Sequence, residues 1–237
     1  MSGLGRPRVH HRTVDSTNER AKALAGSGAP HGTVVTADAQ AAGRGRQGRA
    51  WIARSGGALL MSLLIRGLEE RHAILPLTAA VSVCEAAEAC APVTCAIKWP
   101  NDVWIERRKL AGILIEVRPQ EGWAVVGVGL NVCEREFPGE LKGAATSLAL
   151  ESPGAGAQSP EQALGELLIC LERRLAEPAA KVLEAWRGRD ALYGRQIAWN
   201  GGEGTAAGID DSGDLLADTV QGRVALEAGE VHLARVG

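Results

Sequence analysis

Apolar and polar positions along the 237-residue chain change period several times, and each change predicts an element. Ser16 and Glu19 have the S-x-x-E spacing of a capping box, which predicts a short helix running through Leu24. Residues 33–37 are compact and β-branched and read as a strand that delivers the chain into a Gly/Arg loop. The run LLMSLLI (59–65) reads as a buried strand. Residues 73–91 are Ala-rich with apolar positions at helical spacing and read as a long helix. Four strand-like runs follow, 93–97, 103–105, 109–117 and 123–131, divided by polar or Pro/Gly punctuation, and together they predict one antiparallel sheet. A small-residue loop (152–159) leads to two helices, 160–176 and 179–192. After Tyr193 the texture changes to Gly-rich turns and short alternating runs, 196–200, 205–209, 215–217, 222–227 and 231–236, which predict a small β-barrel.

Composition narrows the function classes more than the fold. Hydrophobic content of 46% and charged content of 23% are those of an ordinary globular protein. With 26 basic and 28 acidic residues the net charge is 26 − 28 = −2, and there is one Tyr and one Phe, so a nucleic-acid-binding module has neither a basic field nor a stacking platform. The five cysteines show no C-x-x-C spacing and an odd total, which argues for reduced thiols rather than a disulfide framework or a zinc site. No apolar leader opens the chain and no run approaches about eighteen apolar residues, so a cytoplasmic protein with no membrane partner is expected.

Candidate chemistry concentrates in two segments. Gly43-Arg44-Gly45-Arg46-Gln47-Gly48-Arg49 formally contains G-x-G-x-x-G, but the dinucleotide fingerprint requires a helix directly afterwards, and residues 49–57 continue as loop. The physical content remains: glycines free backbone N–H groups for an anion, and the guanidinium groups add forked donors, although a solvated basic loop would look similar. In Lys98-Trp99-Pro100-Asn101-Asp102, Pro100 sets a turn, and Asp102 by itself is ordinary turn chemistry. Five of the 26 basic residues are lysines, and two of them, Lys98 and Lys109, flank this turn; a compact ammonium suits a reacting carboxylate or phosphate. Trp51 follows the Arg loop and could wall a pocket, and Gly127-Val128-Gly129-Leu130-Asn131 permits either close ligand approach or tight packing.

Ser16-Thr17-Asn18, Gln40 with the 43–51 loop, Lys98–Asp102, Lys109-Leu110-Ala111-Gly112-Ile113-Leu114-Ile115-Glu116, Gly127–Asn131 and Thr146-Ser147-Leu148 stand in the order found in biotin protein ligases. The chain resembles that family over nearly its whole length. The resemblance implies an α+β fold: a class II synthetase-like biotin/lipoate ligase catalytic domain, with a mixed, mainly antiparallel sheet and helices over 1–190, and a small C-terminal SH3-like β-barrel over 191–237. It also implies the short form, without the N-terminal DNA-binding domain of some relatives, hence no DNA partner.

The implied reaction has two steps: biotin and ATP, with Mg2+ carried on the ATP phosphates rather than in a fixed protein site, give biotinoyl-5′-AMP, and a lysine of a biotin carboxyl carrier protein then takes the acyl group. By resemblance, Ser16, Thr17, Asn18, Gln40, Arg44, Gly45, Arg46, Lys109 and Gly112 bind biotin. Arg44, Arg46, Trp51, Lys98, Asn101, Asp102 and Asn131 bind ATP or the adenylate. Lys109, Asp102 and Arg46 carry the chemistry, Lys109 by stabilising charge on the α-phosphate and Asp102 by orienting or deprotonating the acceptor lysine. The resemblance also admits a homodimer. Ala207 stands where the family often has Arg, and Arg223 is the candidate to replace it. The rival of the same fold is a lipoate or octanoate ligase or transferase. A fatty acyl chain needs an unbroken apolar tunnel, whereas Ser16, Thr17, Asn18 and Gln40 offer polar partners to a ureido ring.

Overall fold

The computed structural model describes residues 3–154, 159–227 and 231–233. A seven-stranded sheet forms its centre, in the order β1-β2-β3-β7-β6-β5-β4. The strands are β1 (Arg8–Val14), β2 (Val34–Gln40), β3 (Ala58–Arg66), β4 (Ala96–Lys98), β5 (Asp102–Ile105), β6 (Arg108–Arg118) and β7 (Trp123–Asn131). All neighbours are antiparallel except β1 and β2, which run parallel because helix α1 (Thr17–Gly26) crosses between them. The sheet is therefore mixed, and the expected four strands are four of its seven.

Period-2 alternation decides what each face does. On β3, Leu59, Met61, Leu63 and Ile65 face the large core beneath α2 (Leu75–Cys90), α4 (Pro160–Ala176) and α5 (Ala179–Arg187), the short α3 (Leu148–Glu151) lying between α2 and α4 in the chain. Leu64 instead faces the small cluster under α1 with Ala21, Ala25, Val35 and Val125. Ser62 shares the α1 face. On β7, Val126, Val128 and Leu130 belong to the large core, so Gly127, Gly129 and Asn131 necessarily face the α1 side.

Several expectations need correction. Strand β1 has no counterpart in the sequence reading: as an edge strand with sequence RVHHRTV it buries only Val14 fully and shows no apolar alternation. The capping box does not form. Ser16 is the N-cap residue but its side chain makes no capping bond, and Glu19 turns instead to Lys22 (2.8 Å) and Arg44. The last helix ends at Arg187 rather than 192, because beyond Gly188 the chain is drawn away: Arg189 pairs with Glu88 (2.6 Å) and its carbonyl accepts from Ile97 N–H (2.7 Å). The long helix begins at Leu75 after a 3₁₀ turn over Glu70–Ile74. Together they make one stretch of 21 residues, Glu70–Cys90, apolar and long enough to cross a bilayer, longer than the sequence reading allowed; here its apolar surface packs into the core.

The C-terminal segment forms a five-stranded antiparallel sheet in the order β11-β10-β9-β8-β12, from β8 (Gln196–Trp199), β9 (Gly202–Ile209), β10 (Leu215–Thr219), β11 (Gly222–Leu226) and β12 (Val231–Leu233). This is the SH3-like unit; positions 234–236 of the last expected strand lie outside the described residues. It is seated firmly. Trp99 Nε1–H donates to Gly213 O (3.0 Å), Gly213 (φ +90°) sits against Leu77, and Ile209, Leu215, Ala217 and Val231 join the same core as α2.

Candidate active site

A cavity of about 260 Å³ opens on the α1 side of the sheet. Its floor is made of glycines. Cβ atoms added to Gly127 and Gly129 would collide with the Asn18 amide and the Trp51 ring, and one on Gly112 would lie 3.0 Å from Trp51 and 3.2 Å from Lys109 Nζ. Gly112 and Gly129 are partners in the β6–β7 ladder, so the bare patch is continuous across two strands. These glycines exist for close approach, not for unusual backbone angles.

At one end of the cavity a buried polar cluster forms where β2, α1 and β3 meet. Thr17 donates through its backbone N–H to Gln40 Oε1 (2.7 Å), and its hydroxyl lies 3.1 Å from the same oxygen. Ser62 Oγ is 2.8 Å from Thr17 Oγ1 and 2.6 Å from Asn18 Oδ1, and Asn18 Nδ2 donates to Glu116 Oε2 (2.9 Å). Burial alone would favour the neutral acid at Glu116. Hydrogen bonds from Lys22 (2.7 Å) and Asn18, with the charges of Lys22 and Arg44, outweigh it and hold the carboxyl below its ordinary value.

The other end carries charge. Lys109 Nζ lies 2.7 Å from Asp102 Oδ1 and 5.7 Å from the centroid of a Trp51 ring. Asn101 is fixed by reciprocal bonds to Ile113, its Nδ2 donating to Ile113 O (2.9 Å) and its carbonyl accepting from Ile113 N–H (3.0 Å); Arg46 Nη1 reaches Asn101 Oδ1 at 3.3 Å. Lys109 itself is clasped by the chain at 144–146, its N–H donating to Ala144 O and its carbonyl accepting from Thr146 N–H. Asn131 Nδ2 donates to Thr146 O (3.0 Å), while its buried Oδ1 has no partner among the described residues.

Between the ends, residues 43–51 fold back on themselves as a small hairpin, with Gly45 N–H donating to Arg49 O (2.7 Å) and Trp51 N–H to Gly43 O (3.0 Å). Gln47 (φ +54°) and Gly48 (φ +74°) turn its tip. This hairpin borders two spaces: the smaller cavity, and a more open groove of about 870 Å³ that also touches Pro76, Pro100 and Glu227. An elongated ligand with a polar head and an acidic tail would fit its head to the Thr17–Asn18 cluster and its tail to Lys109, with the Arg hairpin covering its length.

Thirteen of the fourteen sequence-nominated residues line this cavity: Ser16, Thr17, Asn18, Gln40, Arg44, Gly45, Arg46, Trp51, Asn101, Asp102, Lys109, Gly112 and Asn131. Lys98 does not. It is the strand partner of Asp102, with its Nζ 5.4 Å over Trp104, and lines a small neighbouring recess with Arg46, Asn101 and Asp102. Arg223 is not brought to either cavity; it pairs with Asp218 (2.7 Å) on the outer strands of the C-terminal sheet. Sequence reasoning missed the part Ser62 plays, although a lone hydroxyl in an apolar strand was a visible signal. It also assigned no role to Glu116. Among the described residues no group of three or more His, Cys, Asp or Glu side chains is placed to hold a metal ion.

Comparison with known proteins bears on the whole chain. The model of the biotin/lipoate A/B protein ligase family matches residues 10–132. The bifunctional ligase/repressor BirA of Bacillus subtilis is 35% identical over 246 residues, covering 97% of this chain and 75% of the relative. The biotin--[acetyl-CoA-carboxylase] ligase of Mycobacterium tuberculosis is 35% identical over 234 residues, covering 92% and 86%. Among solved structures, the biotin protein ligase of Aquifex aeolicus in complex with biotin and ATP superimposes with a TM-score of 0.85 at 29% identity, covering 97% of this chain and 99% of that one.

Proposed function

The chain belongs to the biotin/lipoate A/B protein ligase family, and from that premise we infer that it is an ATP-dependent biotin–protein ligase. It activates biotin as biotinoyl-5′-AMP and passes the acyl group to a lysine of a biotin carboxyl carrier protein. The observation that carries this reading is the two-ended cavity. A cluster of hydrogen-bonding groups closes one end and Lys109 and Asp102 stand at the other, and a fatty acyl chain would offer no partner to the remaining hydrogen-bonding capacity of that cluster.

The geometry divides the chemistry. In the first step a biotin carboxylate oxygen attacks the α-phosphorus of ATP and pyrophosphate leaves. Lys109, held over the glycine floor by Asp102 and Trp51, faces both anions and stabilises charge as it builds on the phosphorus. Arg44 and Arg46 come from the hairpin that borders both the smaller cavity and the open groove, so ATP approaches from the groove side and the hairpin shields the mixed anhydride from water. The buried Asn131 Oδ1, without a partner among the described residues, is a hard oxygen donor that would suit Mg2+ carried on the ATP phosphates, and the ion would neutralise polyphosphate charge. In the second step the carrier lysine attacks the acyl carbon, AMP leaves, and Asp102 orients the amine and takes its proton.

Purified protein should exchange labelled pyrophosphate into ATP when biotin is added. Exchange supported by lipoate or octanoate but not by biotin would replace this reading with that of the acyl-ligase branch of the family.

A further inference from the structure

We propose that Glu116 is a positioning residue that sets the direction of the hydrogen bonds running from Asn18 through Ser62 to Thr17 at the polar end of the cavity, so that Thr17 presents lone pairs rather than its proton to the ligand. This rests on the reading of the cavity as the biotin site.

The directions follow from two groups that cannot change role. A carboxylate only accepts, so Asn18 must turn Nδ2 to Glu116 (2.9 Å), which leaves Oδ1 facing Ser62; Leu114 O also accepts from Nδ2, but at 3.4 Å it is the weaker hold on the amide. Ser62 has one proton and gives it to Asn18 Oδ1 (2.6 Å), so its lone pairs meet Thr17 Oγ1 (2.8 Å). Thr17 therefore gives its own proton to Ser62 and keeps lone pairs for the cavity. At the far end a backbone N–H only donates, so Gln40 must turn Oε1 to Thr17 (2.7 Å), and its Nε2 faces away as a donor. The cavity thus offers an acceptor at Thr17 and a donor at Gln40, which is the complement of a urea with its N–H and C=O groups. Lys22 secures the origin of this order by holding Glu116 Oε1 (2.7 Å).

Glutamine at 116 can donate or accept, so Glu116→Gln lets the Asn18 amide reverse and the order with it. The expected result is a rise of about tenfold in KM for biotin, with kcat and KM for ATP retained, in biotin-dependent pyrophosphate exchange. Asn18→Asp alone sets two carboxylates face to face and should be worse. When Asn18→Asp is combined with Glu116→Gln, the carboxylate now at position 18 accepts both from the amide now at position 116 and from Ser62. That restores the original directions, so KM for biotin should return toward wild type. A role limited to holding the fold would make the double variant no better than the worse single one. Should Glu116→Gln fail to fold by circular dichroism, Ser62→Ala breaks the same order one step on and should also raise KM for biotin alone. Wild-type KM for biotin in Glu116→Gln or Ser62→Ala, an equal change in KM for ATP, or no recovery in the double variant would each overturn the proposal. Absence of biotin-dependent exchange in the wild-type protein would instead overturn the assigned function, and the proposal with it.

Discussion

The two ends of the cavity and the lid between them solve different problems with different materials. The polar end is built on β2, β3 and the first turn of α1, with Thr17, Asn18 and Ser62 almost wholly buried and bonded to one another before any ligand arrives. The lid is the loop over 43–51, carrying Arg44, Arg46 and Arg49, with a 3₁₀ turn that buries no residue and a tip that relies on two positive φ angles. Fixed groups can discriminate between ligands because they do not rearrange to suit the wrong one. Loop groups can close after binding and open for transfer. On the proposed function, specificity would belong to the strands and the first turn of α1, and protection of the intermediate to the hairpin.

Substitutions can break or sharpen that division. Lys109→Ala should lower the rate of adenylate formation by about a hundred- to a thousandfold with circular dichroism unchanged, as removal of one charge-stabilising group does. A folded variant with near-normal exchange would remove Lys109 from the chemistry. Gly129→Val drives a side chain into Trp51 and should raise KM for biotin by about a hundredfold, whereas Gly48→Ala on the open hairpin tip should change it by only a fewfold. Equal effects from these two would erase the distinction between fixed floor and adaptable lid. Asp102→Ala should leave pyrophosphate exchange within about tenfold and depress transfer to a carrier-protein lysine further; parallel loss of both half-reactions would assign Asp102 to the first step. Glu19→Gln releases Arg44 and weakens the pairing with Lys22, and should shift KM for biotin by about two- to threefold, an effect that shrinks in high salt.

Acid provides the gentlest probe. Glu116 is held below its ordinary value of 4.5, so the stability it contributes is present above that pH and is lost as pH falls through the lower folded value. The gap in melting temperature between wild type and Glu116→Gln should narrow as pH falls below 4.5. A gap independent of pH would mean that the carboxylate charge does not matter to the fold.

What could be read from the sequence followed chemistry more closely than geometry. The apolar runs at 59–65 and 123–131 located β3 and β7 because burial on both faces leaves a continuous apolar signature. The edge strand β1 stayed hidden because exposure removes that signature, and the helix after it was found through a capping box that does not form. Short motifs brought Lys109, Asp102 and the arginines forward because charged side chains in clusters are rare. They did not bring Ser62 forward, since its meaning depends on Asn18, forty-four positions away and met only when β3 packs beside α1. Lys98 shows the limit of a motif: it shares a recess with Arg46, Asn101 and Asp102 beside the cavity rather than lining it, a placement that spacing alone does not give.

The alternation of Gly127 and Gly129 on β7 has a metric consequence. Two residues of extended strand span about 6.8 Å, and Asn18 rests on the first glycine while Trp51 rests on the second. A single rigid strand thus spaces the head-group site from the aromatic wall beside Lys109, and the enzyme gauges its acid by length as well as by its ring. An analogue with the same ring and a shorter tail would be held at the head yet leave its carboxylate short of the ammonium, occupying the site without being activated.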